Sequence, residues 1–169
     1  NIQVNGGVTF EGSIEAGSIN VGTSGIANLN TVLGTTNSDI VFSGDGTANL
    51  NNGLTGNVTT TASNQGTLNL VGSNNQTVTG TVGGVGASLE KVSSGATGAT
   101  STFVNNVYAN TVENTGSGTT IFQDDVTATN VNVNAGTSTF QDNLTATTTT
   151  ITTGIGNFNT LSGTTNSDI

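Results

Sequence analysis

The chain has 169 residues, enough for one domain, yet only 31% are hydrophobic and 4% aromatic, too few for an ordinary globular core. Charged residues make up 7%, so the high-charge signature of disorder is also missing, and Thr, Asn, Gly and Ser fill the gap, as suits stacked strands with Asn and Gly at their corners. Ten acidic residues against the single basic Lys91 give a net charge of −9, which excludes a phosphate-binding surface and, with it, nucleic acid and anionic membranes as partners.

Pro, Cys, Met, Trp and His do not occur. The absence of Pro suits a fold in which nearly every strand N–H donates to a neighbour. Without His or Cys the usual nucleophile-and-base pairs cannot be built, and no enzyme is expected. No apolar run reaches the length of a membrane span, so no membrane insertion by this segment is expected. Asn1-Ile-Gln-Val4 lacks the basic and apolar regions of a signal peptide, and the expected reading is a fragment of something longer.

In chain order, the first phrase is Phe10-Glu-Gly-Ser-Ile14-Glu-Ala16: an aromatic, an aliphatic four positions on, an alanine two beyond. Leu29 begins a looser version, and Leu50-Asn-Asn-Gly-Leu54-Thr-Gly56 repeats the phrase with leucine for phenylalanine. Between residues 67 and 100 the phrase blurs into a Gly/Ser/Ala-rich run, with coil starts expected near Leu70 and Leu89 and an exposed pair at Glu90-Lys91. It then returns three times: Phe103-Val-Asn-Asn-Val107-Tyr-Ala109, Phe122-Gln-Asp-Asp-Val126-Thr-Ala128 and Phe140-Gln-Asp-Asn-Leu144-Thr-Ala146, with Phe158 opening a fourth. A regular spacing of 19, 18 and 18 residues predicts a solenoid, each repeat being one coil stacked on the last. Strand alternation sends Val107 and Ala109, Val126 and Ala128, and Leu144 and Ala146 inward, with Asn and Asp turning the preceding corner.

The expected fold is therefore all-β: a single-stranded parallel β-helix of about nine coils with a period of 18–19 residues, forming one segment over 1–169. Its core ladder would run Phe10, Leu29, Leu50, Phe103, Phe122, Phe140 and Phe158, with Ile14, Leu54, Val107, Val126 and Leu144 as a second column and Ala16, Ala109, Ala128 and Ala146 as a third. At about 4.8 Å per coil the rod would be roughly 40–45 Å long. Over the short period lies a longer one, since Gly34-Thr-Thr-Asn-Ser-Asp-Ile40 returns as Gly163-Thr-Thr-Asn-Ser-Asp-Ile169, an offset of 129 residues that spans very nearly seven coils. One full copy (about 40–168) follows part of another. The sequence offers no polar cap at either end, so the expected partner is the chain itself, by tandem continuation or end-to-end stacking.

Two surface features carry candidate chemistry. Asp124, Asp125 and Asp142 occupy one corner of adjacent coils, where oxygen ligands would suit Ca²⁺; solvated corner residues are the alternative, and no other cofactor is implied. Thr145, Thr147 and Thr149, beside Thr127 and Thr129, form a Thr-x-Thr array of the kind found on ice-binding β-solenoids; the alternative is that Thr simply suits an exposed strand.

The order Gly66-Thr-Leu-Asn-Leu-Val-Gly72, Val78-Thr-Gly-Thr-Val82-Gly83, Leu89-Glu-Lys-Val92 and Thr102-Phe-Val-Asn-Asn-Val-Tyr-Ala109-Asn-Thr-Val112 resembles passenger repeats of bacterial autotransporters, especially the rickettsial outer-membrane surface antigens. That resemblance implies a secreted β-helical passenger, extracellular or on the bacterial surface, used for adhesion to a host or neighbouring cell or as a protein coat. The membrane-anchoring barrel of that family has no counterpart in these residues, and the regular 129-residue duplication points to a filament or surface fibre.

Overall fold

In a computed structural model of the protein, residues 1–30 and 35–158 are described in full and residues 165–168 as backbone. Of the duplicated block, Gly34, Gly163, Thr164 and Ile169 lie outside the described residues. Nineteen strands and no helix are found among the described residues. The strands stack in parallel as a β-solenoid of about eight turns, close to the nine expected, and hydrogen bonding groups them into a ten-stranded and a nine-stranded sheet.

Side-chain alternation explains how each coil closes. In Thr119–Phe122, Thr120 and Phe122 point inward. In Val107–Asn114, Val107 and Ala109 point inward, then Asn110 and Thr111 are both partly exposed, and Val112 and Asn114 point inward again. That slip in the period-two pattern takes the strand around a corner. Each coil consequently contributes to three inward ladders.

The first ladder runs Ile14, Thr36, Leu54, Val78, Phe103, Phe122, Phe140, Phe158. The second runs Ile2, Ile19, Ile40, Val58, Val82, Val107, Val126, Leu144. The third runs Val8, Ala27, Ala48, Leu68, Val92, Val112, Val131, Thr149, with Phe10, Leu29, Leu50 and Leu70 two residues along the same strands. On the first ladder the four phenylalanine rings stack 5.1, 5.0 and 5.6 Å apart and within 8° of parallel. Offset-stacked rings of this kind add about 0.5–1.5 kcal/mol per pair beyond their burial.

The expected columns are corrected by this arrangement. Phe10, Leu29 and Leu50 do not continue the phenylalanine column; they stand on the third face, while the phenylalanines stand on the first. Ile14 and Leu54 lie in line with the phenylalanines, not beneath Val107, Val126 and Leu144. Ala109, Ala128 and Ala146 do form a column, below which stands Leu89. Ala16 sits at the register slip between Glu15 and Ser18, half-buried, and does not join them.

The cause lies in the blurred middle. Val78 follows Leu54 by 24 residues and Phe103 follows Val78 by 25, whereas Phe122 follows Phe103 by only 19. The excess residues leave the coil as turns at 61–65, at Gly84–Ala87 and at Ala96–Ala99. Over that stretch the phrase advances by one face. The interior also holds two features that the repeat did not announce. Phe42 is fully buried, and Gly66, at φ +82°, passes so close that a Cβ there would collide with its ring. Between the third and first faces runs a buried polar seam, in which Ser94 Oγ lies 2.8 Å from Thr120 Oγ1 and Asn114 Nδ2 donates to Ser138 Oγ at 3.3 Å.

Candidate functional site

The corner between the first and second faces gathers the acidic residues. Here the chain leaves the first ladder and enters the second within four residues, from Phe103 to Val107, Phe122 to Val126 and Phe140 to Leu144. So tight a turn leaves backbone N–H groups that a strand cannot pair, and short acceptor side chains satisfy them. Asp39 Oδ1 accepts the N–H of Asn57 at 2.8 Å, and Asn57 Oδ1 accepts that of Thr81 at 3.0 Å. Higher up, Asp124 Oδ1 accepts the N–H of Asp125 at 2.9 Å. Asp125 Oδ1 in turn accepts both the N–H of Asn143 at 3.2 Å and its amide nitrogen at 2.7 Å. Oriented with its nitrogen toward the carboxylate, the Asn106 amide donates to Asp124 at 2.9 and 3.1 Å and accepts from Tyr108 Oη at 3.2 Å. Asp39, Asn57 and Asp125 thus cap the coil next to them, and Asp124 caps its own.

Asp124, Asp125 and Asp142 are brought together as the sequence suggested, with ligand oxygens within 4.8 Å of one another and all three half-buried. Their oxygens would suit a hard cation such as Ca²⁺. Two of the three are already engaged by N–H donors, which relieve the mutual repulsion without a cation. Asp39 and Asn57, on the same corner nearer the N-terminus, were not among the candidate residues. The signal that would have found them is an Asx residue directly before an inward aliphatic, as in Asp39-Ile40, Asn57-Val58, Asn106-Val107, Asp125-Val126 and Asn143-Leu144.

The threonine array is narrower than the sequence suggested. Thr127, Thr129, Thr145 and Thr147 are exposed, but the corner at Thr147-Thr148 reverses the alternation and Thr149 is buried. In register the patch ends at Tyr108 on one side, paired with Thr127, and at Asn166 on the other, paired with Thr145. Two grooves flank the ladders. One of about 370 Å³ lies between the Gly84–Ala87 turn and Tyr108, Thr127 and Thr129, and its lining carries no carboxylate or ammonium group. The other, about 530 Å³, contains Glu113, which pairs with Lys91 at 3.3 Å, so the cation expected beside Glu90 bridges two coils instead. Such a partly exposed, solvent-screened pair is worth about 0–1 kcal/mol.

Comparison with known proteins returns no family model, no curated protein and no solved structure that matches the chain.

Proposed function

We propose that this chain is a structural segment of a secreted or cell-surface bacterial protein, a rigid rod within a fibre, filament or adhesin stalk. The observation that carries the reading is the continuity of the three inward ladders, which run from the first coils to the last while the phrase that builds them changes face. One thin coil cannot bury its own apolar side, so each is held by its neighbours and stiffness accumulates along the axis. The outer surface fits the same role: strands present Thr, Asn and Ser, and Asn49 and Asn69 link side chain to side chain across coils at 2.8 and 2.9 Å. The residues that resemble autotransporter passengers, 66–72 and 102–112 among them, lie in these stacked strands. The partner on this reading is the chain itself, through tandem 129-residue units, with a host or neighbouring cell as the contact at the far end.

The acidic corner serves the rod as a set of caps. Electron microscopy of the native material tests the proposal: long thin threads are expected, and dispersed compact particles with blunt ends would overturn it.

A further inference from the structure

The two copies of the long repeat lie on different faces of the solenoid. Phe10 stands on the third face and its counterpart Phe140 on the first; Ile14 stands on the first and Leu144 on the second; Val21 stands on the second and Ile151 on the third. The near-identical blocks agree. Ile26–Asn30 is a third-face strand, and its counterpart Ile155–Phe158 belongs to the first face; Thr36 pairs on the first face and Thr165 on the second. Every copy has moved one face in the direction of the chain.

Following one ladder gives the size of the step. From Asn28 the register climbs through Asn49, Asn69, Ser93, Glu113, Asn132 and Thr150, six coils, and the counterpart Asn157 lies one face further on. The 129-residue unit therefore spans six coils and one face, not seven coils. The odd face comes from the lengthened middle coils, so it is written into the unit itself.

Resting on the fibre reading above, we infer that the surface at which one 129-residue unit receives the next is built for a second copy of the same unit turned by one face, roughly a third of a turn beyond the twist of the coils themselves. The rise is about 30 Å per unit at ~4.8 Å per coil, and three units, about nineteen coils, restore the starting face. The three ladders remain continuous across each junction, because the aliphatic that follows the phrase's corner points inward on either face: Ile14 and Leu54 enter the first face as Val107, Val126 and Leu144 enter the second. The surface, by contrast, is redistributed. The acidic corner around Asp124, Asp125 and Asp142 lies between the first and second faces here, and an exact tandem copy of residues 41–169 would carry it between the second and third; in the preceding copy Gly12 and Ser13 stand where Asp142 and Asn143 stand here. A tandem fibre consequently presents each patch in three directions around its axis and not along one stripe, so a receptor or neighbouring fibre meets the same chemistry from any side.

The test is cryo-electron microscopy of the full 169-residue chain extended by three further copies of residues 41–169. A continuous rod in which each unit's counterpart of Phe140 lies one ladder on from that of the unit before, with a rise of about 30 Å, is the expected result. A continuous rod whose units repeat on the same ladder, with a rise near ~34 Å for seven coils, would overturn this inference and leave the fibre reading standing. Separate beads joined by linkers would overturn both.

Discussion

Phe122 lies between two stacked rings and is 2% exposed, so its removal opens a cavity that the flanking coils cannot close. Phe122→Ala is expected to cost about 3–5 kcal/mol in denaturant unfolding, and Phe122→Leu, which keeps most of the burial but loses both stacked pairs, about 1–3 kcal/mol. Thr36 makes the opposite case. It interrupts the first ladder between Ile14 and Leu54, fully buried, with a hydroxyl that meets no partner. Thr36→Val keeps the shape and removes the unsatisfied group, and should raise stability by about 1 kcal/mol in the same measurement. At the corner, Asp125→Ala removes the oxygen that accepts from the Asn143 N–H and amide and should cost about 1–3 kcal/mol, whereas Asp125→Asn keeps the acceptor and most of the stability. If the caps are sufficient, a chelator leaves the melting temperature of the unmodified protein unchanged; a fall would indicate a bound divalent cation. At this scale the sequence was informative wherever chemistry repeats: the phenylalanine spacing specified the stack, and the three carboxylates were found together. It was silent on Thr36 and Phe42, because a residue that occurs once in a column has no periodicity to reveal it.

Strand pairings were harder to read than side chains. The phrase opens on an aromatic or leucine that is inward on whichever face it begins, so in the sequence alone Leu50 and Phe103 read as steps of one column. The corner residue is the better guide: Asx before an aliphatic marks the entry to the second face at Asp39, Asn57, Asn106, Asp125 and Asn143, irrespective of what precedes it. Between residues 58 and 107 the glycine-rich turns conceal even this, since Thr81 stands in for Asx before Val82. The pairing through that region can be tested by cross-linking, because the chain has no cysteine of its own. Thr77 and Thr102 are register partners on the outside of the first face. A Thr77→Cys/Thr102→Cys variant should form a disulfide on mild oxidation, the Cα separation of adjacent strands being within the bridging range. A Thr77→Cys/Ala96→Cys variant, one short period apart, should not. The reverse pattern would restore the uniform 19-residue coil and remove the change of face.

Along the whole molecule, about eight turns at ~4.8 Å give a rod of roughly 38 Å, slightly shorter than the sequence suggested because the middle coils are longer. Almost all the hydrogen bonding that joins coil to coil runs parallel to that axis, and the charged residues are confined to the outside. The long repeat was legible as a duplication, but its phase was not, since residue count alone cannot say how many residues of a coil leave it as turns. In the solenoid the strands lie across the long axis and stack along it. Fibre diffraction from an oriented film of the protein reads this out: an arc near ~4.8 Å along the rod axis is expected, and the same spacing at right angles to that axis would overturn the stacked-coil fold.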